Sequence, residues 1–143
     1  MKISTKGRYA LRLMLDLAVY GGNTYVPLKE IASRQQISDK YLEQIATPLS
    51  RAGYVLSVRG AQGGYRLAHP PKAYTVGMIL RLMEGSLAPV DCVENGGCDH
   101  MDSCVTIEVW RRMKEAIDGV VDSITLQDLL DWQREKAAID FSI

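Results

Sequence analysis

The sequence predicts a mainly α fold with a small β wing, a winged helix-turn-helix joined to a long dimerisation helix, and three observations lead there. Two short helical patterns separated by a turn precede a strand, a glycine-rich tip and a second strand. Basic and acidic residues are sorted into opposite halves of the chain. An apolar stripe near the C-terminus exceeds what one small domain can bury alone.

With 143 residues there is room for one ordinary domain, or for a small domain and an oligomerisation element that shares its core, but not for two enzymes. A hydrophobic fraction of 47% against 24% charged residues excludes a disordered chain. No apolar run approaches the roughly 18 residues of a membrane span. Met1-Lys2-Ile3-Ser4 leads into a helical pattern without an apolar leader, so a cytoplasmic location and no membrane contact are expected. Residues 1–72 hold eleven Lys or Arg against Asp16, Glu30, Asp39 and Glu43, a net +7, and the remainder is −7. That asymmetry suits a half that faces a polyanion and a half that stays off it.

From about Ser4 to Tyr20, Tyr9, Ala10, Leu13, Met14, Leu17 and Ala18 recur at helical spacing, Leu11 and Leu15 fill a second face, and Gly21-Gly22 ends the run. A helix apolar on two sides packs between elements. Pro27 keeps Val26 extended, and Leu28 to Arg34 reads as a short helix with Leu28, Ile31 and Ala32 inward. Ser38 is an N-cap for a helix from Asp39 to Ala52 that Gly53 ends. Tyr41, Leu42, Ile45, Leu49 and Ala52 are spaced to face its core, Lys40, Glu43, Gln44, Thr47 and Arg51 face outward, and Pro48 should bend it. Tyr54 to Arg59, the tip Gly60-Ala61-Gln62-Gly63-Gly64 and Tyr65-Arg66-Leu67 then form a wing, with Arg59 and Arg66 flanking the tip within reach of phosphates or a minor groove. The tip matches no nucleotide-binding fingerprint and no helix follows it.

After Pro70-Pro71, Thr75 caps a helix to about Glu84 that Gly85 closes. Residues 86–104 form a loop with Gly96-Gly97 and all three cysteines. From about Ser103 a long helix carries Trp110, Met113, Ile117, Val120, Val121 and Ile124 at the spacing of helix pairing, and Thr125 with Asp128 forms a capping box for a last helix. The chain thus divides into a DNA-binding module, 1–72, and a second part, 73–143, holding the linker helix, the cysteine loop, the dimerisation helix and the C-terminal helix.

Cys92, Cys98 and Cys104 are evenly spaced, and an odd count argues against a disulfide framework. Three thiolates within thirteen residues are a soft ligand set for zinc, Cu(I) or an iron-sulfur cluster, although structural zinc usually shows tighter pairs. Three unliganded, redox-active thiols are the plainer alternative. A thiol or zinc enzyme built on the same loop lacks a legible histidine-carboxylate arrangement, so no enzymatic activity is expected.

Four stretches, Lys6-Gly7-Arg8-Tyr9-Ala10, Tyr41-Leu42-Glu43-Gln44, Val58 to Tyr65 and the Cys92/Cys98/Cys104 spacing, together resemble the IscR-type family of winged-helix transcription regulators, which has CymR-like and NsrR-like members. The resemblance implies a homodimeric, DNA-binding regulator or repressor on a pseudo-palindromic double-stranded operator, with the second helix in the major groove and the wing arginine toward the minor groove. Candidate DNA contacts are then Ser38, Lys40, Tyr41, Glu43, Gln44 and Arg51 of the helix-turn-helix and Arg59, Gly60, Gln62 and Gly63 of the wing. It also implies a 2Fe-2S cluster on Cys92, Cys98 and Cys104 and control of cluster-biogenesis or cysteine-supply genes. In IscR-like members a histidine three residues after the last cysteine completes the cluster, and here that position is Ile107. Other members borrow an acidic residue where this chain has Arg8, which leaves His100 and Glu108 as fourth-ligand candidates. The CymR-like alternative is a cluster-free repressor of cysteine metabolism. The tail Asp140-Phe141-Ser142-Ile143 resembles the C-terminal peptides that cysteine synthase captures, making that enzyme a candidate partner through Ile143.

Overall fold

The structure, a computed structural model, describes residues 2–141, with side chains through Ile139. Ser142 and Ile143, on which the cysteine synthase expectation rests, lie outside the described residues. The first helix, α1, spans Thr5–Tyr20; Ser4 caps it, its hydroxyl accepting from the Gly7 N–H at 3.1 Å. Ala10, Leu13, Met14 and Leu17 are fully buried, while Leu11 and Leu15 are half-buried on the second face. The next two helices are α2, Leu28–Gln35, and α3, Asp39–Arg51. Gln36 turns the chain between them in the left-handed region, φ +57°, and its N–H and that of Ile37 satisfy the last carbonyls of α2. Ser38 then caps α3 by accepting from the Tyr41 N–H at 3.1 Å.

Pro48 lies inside α3 without ending it, and Leu42, Ile45, Ala46 and Leu49 fill the core. The expectation that Ala52 faces that core is corrected: it is exposed, because it follows the last helical turn as the C-cap, and Ala46 takes the buried place. Strand β1, Val55–Val58, pairs antiparallel with β2, Gly64–Leu67, with Val55 opposite Leu67 and Leu56 opposite Arg66. Val26 adds a third extended segment, exchanging two hydrogen bonds with Tyr65 at 2.8 and 2.9 Å. A side chain on Gly64, φ +153°, would run into the Val26 carbonyl, so the wing can lie against the start of α2 only with glycine there.

The second half contributes α4, Val76–Glu84, α5, Ile107–Ser123, and α6, Leu126–Phe141. Thr75 caps α4 and Thr125 with Asp128 forms the expected capping box of α6. Within the second half the backbone pairs at Thr75 and Thr125, through Val76 N–H to Ile124 and Leu126 N–H to Tyr74, both 2.9 Å. One core therefore joins α1, α2, α3 and the wing to Tyr74, Ile79 and Leu126, and a smaller one gathers Val76, Leu80, Leu87 and Val121.

The long helix begins at Ile107, not near Ser103, because residues 101–106 form turns that end at Thr106, its N-cap. Of its expected stripe only Val121 is buried. Trp110 and Ile117 are half-buried, and Met113 and Val120 are 39% and 57% exposed. Beside them Ile3, Leu80, Leu87, Ala116, Ile117 and Val120 line an apolar groove of about 370 Å³. Among the described residues no helix is long and apolar enough to cross a membrane.

Candidate nucleic-acid interface and cysteine loop

Capping α3 by Ser38 fixes its first turn, so that Lys40, Glu43, Gln44, Thr47 and Arg51 stand exposed on one side of it, opposite the buried Leu42, Ile45 and Leu49. Ser38 is itself exposed, but its hydroxyl is engaged in the cap. Tyr41 is half-buried, its ring edge-on to Tyr9 of α1 at 6.0 Å, and so fastens α3 to α1. The Thr47 hydroxyl is bonded to the Glu43 carbonyl at 2.8 Å.

The wing tip is 59–63, and Arg59, Gly60 and Gln62 are exposed on it, with Gly63 half-buried. A side chain on Gly63 would strike the Val58 carbonyl, and Gly60 turns at φ +112°, so the tip is tight because both are glycine. Arg66 does not flank the tip. It pairs with Leu56, two positions down the ladder, and its guanidinium lies 5.2 Å from the centre of the Tyr25 ring. Between α3 and the wing runs a groove of about 610 Å³, whose walls include Glu43, Arg51, Arg59 and Tyr65. Burial first, and the charge of Glu43 second, hold the Tyr65 hydroxyl above its ordinary pKa.

The two halves treat their basic residues differently. In the second half Arg81, Arg111, Arg112 and Lys114, four of its six basic residues, pair with carboxylates. In the first half, among the described residues, Arg34 alone does so. Lys40, Arg51 and Arg59 keep their charge for solvent or a ligand, the arrangement a phosphate-binding face needs.

Two long-range contacts that sequence reasoning missed position this face. Asp16 is the one buried charged residue among those described; Arg34 donates to both its oxygens at 3.0 and 2.8 Å and Gln35 to one at 3.0 Å. The hydrogen bond to Asp16 raises the Arg34 pKa, and the guanidinium covers the Tyr20 ring at 3.9 Å. This ties α2 to α1. At the other end of α1 the Glu84 carboxylate, from the last turn of α4, accepts from the Ser4 N–H at 3.0 Å and from the Ser4 hydroxyl. An acid or amide three residues after Ser4 would have been the local signal, but that place is Gly7.

Glu84 is followed by Gly85, φ +78°, and then by the cysteine loop. Within the loop Cys98 and His100 are exposed, Cys92 and Cys104 are half-exposed, and Gly96 and Gly97 take left-handed turns. Cys104 Sγ lies 3.2 Å from the Thr106 hydroxyl. That hydrogen bond, aided by the backbone N–H of Ile107, lowers the Cys104 pKa and favours the thiolate that binds metals. Glu108 is held by Arg112 at 3.3 Å and Arg111 at 3.8 Å. Lys114 of α5 reaches Glu94 at 4.0 Å, linking loop to helix. Among the described residues no three His, Cys, Asp or Glu side chains are gathered around one point where a metal ion could sit. By donor chemistry alone, three thiols in one glycine-bearing loop are a soft ligand set that fits an iron-sulfur cluster.

Comparison with known proteins places this geometry. A family model named Rrf2 and described as an iron-dependent transcriptional regulator matches residues 3–132. The HTH-type transcriptional regulator CymR of Bacillus subtilis is 44% identical over 132 residues, 92% of this chain and 91% of that protein. A solved structure of the B. subtilis global cysteine regulator CymR superposes with a TM-score of 0.79 at 43% identity, covering 92% of this chain and 98% of that one. The structure of IscR from T. potens superposes with a TM-score of 0.78 at 46% identity, covering 95% of this chain and 90% of that one.

Proposed function

The chain belongs to the Rrf2 family of transcriptional regulators, and from that premise we propose that it binds operator DNA as a cytoplasmic homodimer whose affinity is set by an iron-sulfur cluster on Cys92, Cys98 and Cys104. The observation that carries the reading is the placement of the three thiols. Their loop is anchored by Glu84 at one end and by α5 at the other; Glu84 bonds Ser4, the N-cap of α1, and Val121 of α5 belongs to the cluster on which Leu11 of α1 packs. A cluster would supply a reversible, oxidation-sensitive cross-link among the three cysteines. The protein's own residues do the rest: Ser38 and Tyr41 set α3, Lys40, Glu43, Gln44 and Arg51 face the major groove, and Arg59 with the Gly60 to Gly63 tip reaches the minor groove. Control of cluster-biogenesis or cysteine-supply genes follows from that sensing.

The exposed Val109, Met113 and Val120 of α5 supply the homodimer contact.

For the fourth ligand, Glu108 is already engaged by two arginines, whereas among the described residues no ion pair holds His100. The test is anaerobic reconstitution of wild type, Cys98→Ala, His100→Ala and Glu108→Ala, with iron, sulfide and the visible spectrum measured. Full loading of Cys98→Ala, or stoichiometric zinc without sulfide in wild type, rejects the cluster. A deficit in only one of the His100 and Glu108 variants identifies the fourth ligand. The 43% identity with the B. subtilis global cysteine regulator CymR favours a second reading, a cluster-free repressor of cysteine metabolism acting with a protein partner. Wild type that stays colourless yet binds DNA would select it.

A further inference from the structure

Lys29, in the first turn of α2, lies on the wall of the α3-wing groove, and nothing in the helix-turn-helix pattern marks it. Its position follows from the wing. Val26 is bonded twice to Tyr65, and Gly64 is packed against the Val26 carbonyl and the Pro27 nitrogen, so the start of α2 is clamped to the base of β2. Lys29, three residues after Val26, therefore lines the groove. Arg51, at the end of α3, and Arg59, at the wing tip, line the same groove from two other elements.

The charges are free. Among the described residues none of Lys29, Arg51 and Arg59 pairs with a carboxylate, and the neighbouring Glu30 turns to Arg34 at 3.7 Å instead. Asp39 and Glu43 also line the groove, but Asp39 opens α3, about 18 Å along the helix axis from Arg51. Ser50 and Ser57 line the same groove and offer neutral hydroxyl donors.

We infer that Lys29 is a DNA-backbone anchor: it neutralises one phosphate of the strand lying between α3 and the wing, and with Arg51 fixes how deeply α3 enters the major groove. The inference rests on the DNA-binding reading above. Lys29 carries no sequence information in this role, so it acts alike on every duplex.

The salt dependence of binding tests it. Full-length wild type, Lys29→Gln, Lys29→Arg and Lys72→Gln are titrated between 50 and 200 mM salt against two 30-base-pair duplexes, one arbitrary and one enriched from a random pool by wild-type binding. Each subunit of the dimer loses one phosphate contact, which lowers the logarithmic salt slope by about 1.8, so over this range wild-type affinity should fall roughly 12-fold more than that of Lys29→Gln. The deficit should be equal on both duplexes, restored by Lys29→Arg and absent in Lys72→Gln, a control at an exposed linker residue. An unchanged slope in Lys29→Gln of unaltered circular dichroism, a loss confined to the enriched duplex, or the same loss in Lys72→Gln would overturn it. Wild type without affinity for either duplex would remove the DNA-binding reading itself, and that is seen before any variant is compared.

Discussion

The Glu84 carboxylate occupies the space above Gly7 that any side chain at that position would need. From there it accepts from the Ser4 N–H and hydroxyl, so a residue of α4, eighty positions away, fills the role that a capping-box glutamate within α1 would normally take. Gly7 costs about 1 kcal/mol in helix propensity and admits this contact in return.

A double-mutant cycle reads that exchange. Glu84→Ala should destabilise wild type by about 1 kcal/mol, the usual worth of a helix cap, and should cost almost nothing in a Gly7→Ala background, where the new methyl already displaces the carboxylate. Urea unfolding measures both. Equal costs in the two backgrounds would show that the carboxylate does not depend on Gly7.

Asp16 and Arg34 hold α1 to α2 by a carboxylate that is 3% exposed. Removing Arg34 leaves that charge buried with Gln35 as its remaining partner. Arg34→Ala should therefore cost about 3 kcal/mol, the lower end for a broken buried pair because Arg34 itself is 27% exposed. Thermal unfolding should register this. Operator binding should weaken in the variant even where it remains folded, because α2 and α3 lose their fixed angle to α1.

Arg81, Lys114, Asp118 and Asp122 form the corresponding bond between α4 and α5. Lys114 and then Arg81 hold the Asp118 carboxyl below its ordinary value near 3.8. A depressed carboxylate stabilises the fold above its unfolded pKa and loses that contribution as pH falls through the folded one. The raised pKa values of Lys114 and Arg81 keep their contributions intact up to strongly alkaline pH. Wild type should thus exceed Asp118→Asn in stability by about 1 kcal/mol or less at pH 7, given its exposure, and the gap should close below about pH 4. Unfolding curves at a series of pH values measure it; a gap that widens in acid would contradict the assignment.

Thr106 sets the chemistry of Cys104. In a chain with Cys92 and Cys98 changed to serine, Thr106→Val should shift the pH profile of Cys104 alkylation by iodoacetamide to higher pH. Mass spectrometry of the quenched reaction measures it. Superimposed profiles would show that the hydroxyl does not stabilise the thiolate.

Much of this architecture was legible because it is local. Ser38, Thr75 and the Thr125 and Asp128 box announce helix starts, and the spacing of Leu42, Ile45 and Leu49 announces a buried face, since both signals fall within a few residues. The glycines of the wing were readable for the same reason. What failed depends on distance or on register. Arg66 looks adjacent to the tip in sequence, but the pairing of Val58 with Gly64 carries it down the ladder to Tyr25. The bonds of Glu84 to Ser4, Arg34 to Asp16 and Val26 to Tyr65 join residues with no shared periodicity. The late start of α5 has a local cause that helical spacing does not show: turns occupy residues 101–106, and the Cys104 thiol meets the Thr106 hydroxyl.

Whether the cysteine loop governs DNA binding is tested most directly by titrating one enriched duplex with wild-type protein in two states, reconstituted anaerobically with iron and sulfide, and stripped by chelator. Coupling between loop and operator requires different affinities in the two states, by roughly 5- to 150-fold, and the duplex must change cluster retention by the same factor. Cys92→Ala, Cys98→Ala and Cys104→Ala should each bind as the stripped protein does under both treatments. Equal affinities of the two wild-type states, with the cluster verified by its spectrum, would contradict control of DNA binding by the loop.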